Sequence, residues 1–122
     1  MLRILAKALI VLVAIEHLGF LVLEMFFWNK PLGLEAFHNS AEAAQSSAIL
    51  AGNQGLYNGF LAAGLLWALW QGRRDTKIFF LGCVIVAGVY GAATALIPIL
   101  FVQALPALLA LLAVLASQQR DA

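Results

Sequence analysis

The stretch ILAKALIVLVAIEHLGFLVLEMFF, residues 4–27, decides the class of this chain. A helix needs about 20 mostly apolar residues to cross roughly 30 Å of hydrocarbon. This run has that length, and only Lys7, Glu16, His17 and Glu24 interrupt its apolar character. Three further apolar stretches follow, at about 47–70, 78–95 and 98–116. None shows the strict alternation of a barrel strand. The whole chain has the same bias: 64% of its 122 residues are hydrophobic and 11% charged, against about half and a quarter in soluble domains. A net charge of +1 leaves no basic patch for nucleic acid. A single cysteine, Cys83, excludes an intrachain disulfide and a cysteine-based zinc site, and reads as a small apolar filler.

These features predict an all-α fold, an integral membrane four-helix bundle forming one domain over residues 1–122. The first span resembles a signal peptide in its basic start. However, it is too long, lacks a small-residue cleavage site and carries Glu16 and His17, so a retained helix is expected. Gln71-Gly72-Arg73-Arg74-Asp75-Thr76-Lys77 forms a polar loop with a glycine breaker. Pro98 suits the first position of the last helix. In the longest connection, 28–46, Asn39 and Glu42 have capping-box spacing, which predicts that the second helix starts ahead of its apolar run. His38, beside Asn39, reads as a solvated loop residue.

Orientation follows from the basic residues. With the N-terminus inside, Arg3, Lys7, Arg73, Arg74, Lys77 and Arg120 are cytoplasmic and only Lys30 lies outside. That asymmetry predicts both termini in the cytoplasm of a multi-pass membrane protein. Trp28, Trp67 and Trp70 sit where interfacial anchors belong.

Eleven of the thirteen charged residues lie outside the spans or at their ends; Glu16 and Glu24 do not. A carboxylate near mid-membrane costs at least about 2.5–3.5 kcal/mol, which marks it as a functional candidate. On a helical wheel His17 is about 100° and Glu24 about 80° from Glu16, so the three share one face. In the second span Asn53, Gln54, Tyr57 and Asn58 cover one side. Gly55, Gly59 and Ala63 form the core of an adjoining small-residue stripe that admits another helix closely. Tyr90 lies beside Gly88 and Gly91 in the third span, and Gln103 and Pro106 lie in the fourth. Pro106 frees the carbonyl of Val102 and predicts a kink. Under this topology Glu16, His17, Glu24, Asn53, Gln54, Tyr57, Asn58, Tyr90 and Gln103 all fall at mid-depth or in the outer half. The expectation is a polar pocket open to the extracytoplasmic side and sealed toward the cytoplasm.

For several of these residues a purely structural role is the competing expectation. Amides bridge membrane helices for about 0.6 kcal/mol each, and the tyrosines need only partners for their hydroxyls. A structural Glu–His pair is less economical than an apolar contact, since pairing charges in low dielectric rarely repays desolvation. Ionisable groups held near neutrality instead suit proton exchange. No metal-binding, phosphate-loop or nucleophile motif is present.

The segments Ile15-Glu16-His17-Leu18, Leu23-Glu24-Met25-Phe26, Asn53-Gln54-Gly55-Leu56-Tyr57-Asn58-Gly59 and Gly88-Val89-Tyr90-Gly91-Ala92, with Phe101-Val102-Gln103 and Pro106-Ala107, resemble the bacterial membrane family called domain of unknown function 1304. That resemblance spans nearly the whole chain and implies a four-helix inner-membrane protein without an assigned activity. A looser likeness, to small multidrug-resistance transporters, rests on size, four spans and the first-helix Glu16. The basic bias and the polar run of helix two depart from that pattern.

Three functions follow as expectations. The first is binding or transport of a small lipophilic or cationic molecule, with Glu16 and Glu24 as proton-exchanging or cation-attracting groups modulated by His17, and Asn53, Gln54, Tyr57, Asn58, Tyr90 and Gln103 orienting the ligand. The second is a membrane enzyme acting on a lipophilic substrate or quinone, with His17 as base or as axial ligand of a haem. The third is an accessory subunit of a larger membrane complex. Membrane lipid is the expected surrounding, and the glycine stripes would also serve a homo-oligomer.

Overall fold

The computed structural model describes residues 1–117; Arg120, counted above among the cytoplasmic basic residues, lies outside them. Among the described residues the protein is all-helical, with five α-helices and no strand. They are α1 (Leu2–Phe26), α2 (Pro31–Phe37), α3 (Ala41–Gln71), α4 (Arg74–Thr94) and α5 (Leu105–Ala116). A π-helical turn, Leu100–Ala104, leads directly into α5.

Successive long helices run in alternating directions, as their contacts show. Gly55 and Gly59 of α3 meet Glu24 and Leu21 of α1, and Gly64 of α3 meets Phe80 of α4. Gly88 of α4 meets Ala104, and Arg74 at the start of α4 donates to the carbonyl of Leu115 near the end of α5 (3.2 Å). The buried positions of α1 (Ala6, Ile10, Val13, Ala14, His17 and Glu24) repeat at helical spacing and set its rotation. Its N-terminal half packs an apolar core with Ala62 and Leu65 of α3, Leu81 and Val84 of α4, and Ala107, Ala110 and Val114 of α5. Of the buried polar residues His17, Glu24 and Asn58 lie toward the opposite end, while Lys77 and Ser117 are buried at this one.

Two helices, α1 and α4, are long and apolar enough to cross a membrane. The other two expected spans differ from that description. The 31-residue α3 carries Asn53, Gln54 and Asn58 through its middle, and Leu100–Ala116 is apolar but shorter. Large apolar side chains cover the outside, among them Ile4, Ile49, Trp70 and Phe79, each more than 60% exposed.

Local differences have local causes. The start of α3 is capped by Ser40, whose Oγ accepts from the Ala43 amide (3.1 Å), rather than by Asn39. Glu42 falls in its first turn, where a carboxylate suits the helix dipole. Gly72 ends α3 in the left-handed conformation (φ 72°) with its amide on Ala68 and Leu69 carbonyls, as the glycine breaker predicted. Around Pro106 the helix forms the π turn instead of a simple kink. The Leu105 amide reaches back to the Leu100 carbonyl, and the wider turn gives space near the proline ring, which in an α-helix clashes with the carbonyl four residues earlier.

The 28–46 connection is not all loop: it contains α2. Pro31 stands in its first turn and His38 caps it in the left-handed region (φ 55°). Gly33 makes the docking possible. An added Cβ there would lie 1.9 Å from the Phe27 carbonyl oxygen, so α2 rests directly on the end of α1.

Candidate binding site

At the polar end, between α1, α3, α4 and the π turn, lies a cavity of about 600 Å³. Its walls are mainly apolar, with Phe20, Leu61, Ile99 and Val102 among them, and Gln54, Tyr57, Asn58, Tyr90 and Gln103 supply polar groups. A second cavity of about 460 Å³ is lined by Glu24, Trp28, Asn39 and Ser47. Phe37, His38, Gln54, Leu96 and Ile99 line both, so the two share a wall built from α2, α3 and the turn after α4. Among the described residues no lysine or arginine lines either one.

Glu24 is 6% exposed, and Asn58 Nδ2 donates to its Oε1 at 2.7 Å. Asn58 lines the first cavity and Glu24 the second, so one hydrogen bond links the two. Gly55 allows this approach. An added Cβ would lie 3.0 Å from Glu24 Cβ and 3.2 Å from the Leu21 carbonyl oxygen. The small-residue stripe of α3 therefore serves packing within the chain. It continues through buried Ala62 rather than Ala63, which is exposed.

His17 is fully buried and stands behind Gln103. Its Nδ1 is 2.8 Å from the Val13 carbonyl oxygen, and because that oxygen only accepts, Nδ1 carries a proton. In the neutral ring Nε2 is then an acceptor, matched by Gln103 Nε2 at 3.2 Å. The Phe20 ring packs edge-on against the imidazole, with centroids 5.2 Å apart. His17 lines neither cavity, and Gln103 stands at its Nε2. Among the described residues no three His, Cys, Asp or Glu side chains converge as metal ligands do.

Two candidates stand apart. Glu16 lines neither cavity, and its Oε2 is buried without a hydrogen-bond partner. Asn53 is exposed and donates to the Ile49 carbonyl of its own helix (3.1 Å). The expected shared face of Glu16, His17 and Glu24 therefore divides: His17 and Glu24 point inward and Glu16 lies to the side. Glu24 and His17 do not pair with one another: Asn58 partners the first and Gln103 the second.

Two wall residues were not read as site residues. His38 is exposed, as a loop histidine would be, yet lines both cavities because α2 folds back over them. Trp28 is half-buried. Its Nε1 donates to Ser47 Oγ (3.1 Å) and its ring packs on Phe37 (4.8 Å between centroids). The sequence signal for both was Pro31, which starts the intervening helix.

A protein-family model described as "Protein of unknown function (DUF1304)" matches residues 11–115. The "Uncharacterized protein YpaA" of Lactococcus lactis subsp. lactis (strain IL1403) is 31% identical over 113 residues, covering 89% of this chain and 95% of that protein. No solved structure matches.

Proposed function

Since the chain belongs to the DUF1304 family, whose description names no activity, the site itself must suggest a role, and we propose a small-molecule binding or transport protein of the bacterial inner membrane. In this reading α1, α3, α4 and the π turn with α5 form a transmembrane four-helix bundle with both termini cytoplasmic. The cavities then open toward the extracytoplasmic side, and the apolar core seals the cytoplasmic side. The apolar exterior supports this, because a soluble protein exposing so much contiguous apolar surface would aggregate. The clustering of Arg73, Arg74 and Lys77 at the end away from the cavities supports the orientation.

The observation that carries the binding role is the 600 Å³ cavity itself, apolar in most of its walls with Gln54, Tyr57, Asn58, Tyr90 and Gln103 among its lining residues. Small-molecule sites have this composition and size. Gln54, Tyr57, Tyr90 and Gln103 orient the ligand, and Glu24, reached through Asn58, is the carboxyl group placed for proton coupling.

Filling the cavity tests this role. Ala87 lines it and is exposed to it, so Ala87→Trp occupies the space of a ligand. In lipid nanodiscs, with empty discs as blank, the neutral probe 4-phenylbutanol is expected to bind wild type and to lose at least tenfold in affinity in A87W. An affinity unchanged in A87W would count against the cavity as a ligand site.

A further inference from the structure

Glu24 stands in an unusual setting: a nearly buried carboxyl group on a cavity wall whose lining includes no lysine or arginine. Its one hydrogen-bond donor is the neutral amide of Asn58, which engages Oε1. A carboxylate in such surroundings is stabilised strongly by a cation, because charge-assisted hydrogen bonds are about twice as strong as neutral ones. Trp28 and Phe37 stand on the same wall, in contact with each other, and the Trp28 indole is fixed by its bond to Ser47. Aromatic faces beside a carboxylate attract a cation further. His38 is the one other titratable side chain on this wall. The adjoining larger cavity has no acidic or basic side chain other than His38 and the two tyrosine hydroxyls, and its walls are mainly apolar.

The two cavities thus differ in chemistry and share a wall. We infer that the smaller cavity takes a lipophilic amine, with its ammonium group against Glu24, Trp28 and Phe37 and its apolar body against Leu50, Leu96 and Ile99. This rests on the proposed binding role and adds the ligand's charge and polarity. A primary or secondary amine fits better than an anion, which Glu24 repels, and better than a neutral alcohol, which leaves the carboxylate without a counter-charge.

The test compares 4-phenylbutylamine with 4-phenylbutanol, which have the same apolar body and differ in the head group. Trp28 emission reports binding in a W67F/W70F background, since Trp67 and Trp70 line neither cavity. The amine is expected to bind at least tenfold more tightly than the alcohol. Glu24→Gln, which still accepts from Asn58, should cost the amine at least tenfold and leave the alcohol within twofold. Equal wild-type affinities, or amine binding indifferent to E24Q, would overturn the inference and leave the binding role standing. Failure of both probes to bind wild type would remove the role as well. If E24Q does not fold, the comparison of probes on wild type still decides, with Glu24→Asp as the second variant.

Discussion

Replacing Gly33 with alanine is expected to displace α2 and open the wall shared by the two cavities. The added Cβ would fall 1.9 Å from the Phe27 carbonyl oxygen, 2.7 Å from its carbon and 2.9 Å from Trp28 Cα. All three are backbone atoms, so no side chain can rotate away. The Phe27 carbonyl is itself fixed at the end of α1, where it accepts the Lys30 amide (3.0 Å). Relief requires α2 to move by about 1 Å or more, at a cost on the order of 1–3 kcal/mol or above. Phe37 and His38 ride on that helix and move with it. The readout is Trp28 emission in the W67F/W70F background. Trp28 loses its packing on Phe37, so its emission should shift to the red while helical content is retained. An unshifted spectrum would show that α2 does not hold the wall.

The second large effect is expected at Gly88, where α4 crosses the π turn. A Cβ there would lie 2.8 Å from the Ala104 amide nitrogen and Cβ and 3.0 Å from Ala104 Cα. Gly88→Val places a branched side chain against backbone already committed to the turn before Pro106. The two elements must separate, and the lost packing is felt on both sides of the cavity, at Tyr90 and Gln103. An unfolding free energy lower by about 2–4 kcal/mol in detergent is expected, whereas Gly82→Ala, at a position with nothing within 4 Å, should be nearly neutral. Equal effects at the two glycines would contradict the close crossing.

How much of this was legible depends on the scale of the feature. Long apolar runs announce helices, and the spacing of Ala6, Ile10, Val13, His17 and Glu24 already contains the rotation of α1. Read together, those positions put Glu16 at the edge of the buried strip. The wheel angles of Glu16, His17 and Glu24 alone do not, because an arc of about 100° is as wide as the buried strip itself and leaves its edge undetermined. Asn53 shows the same limit, since a polar side chain can meet a carbonyl of its own helix instead of a ligand. The seven-residue α2 is too short for periodicity to reveal, and its evidence was two single residues, Pro31 and Gly33. The π turn is a local answer to Pro106, whose effect sequence predicts while its form depends on what α4 permits at Gly88. The partners of His17 and Glu24 lie 86 and 34 residues away, and only the packing of whole helices selects them.

The central claim is a cavity open to one side of a membrane, and side-specific labelling tests it most directly. In a Cys83→Ala background, Thr94→Cys places a thiol on the cavity wall, and Gln71→Cys places one at the opposite end beside the polar loop. A membrane-impermeant maleimide added to intact bacterial cells is predicted to label T94C, and to label Q71C only after permeabilisation. Labelling of Q71C in intact cells with T94C protected, or equal labelling of both, would contradict the account.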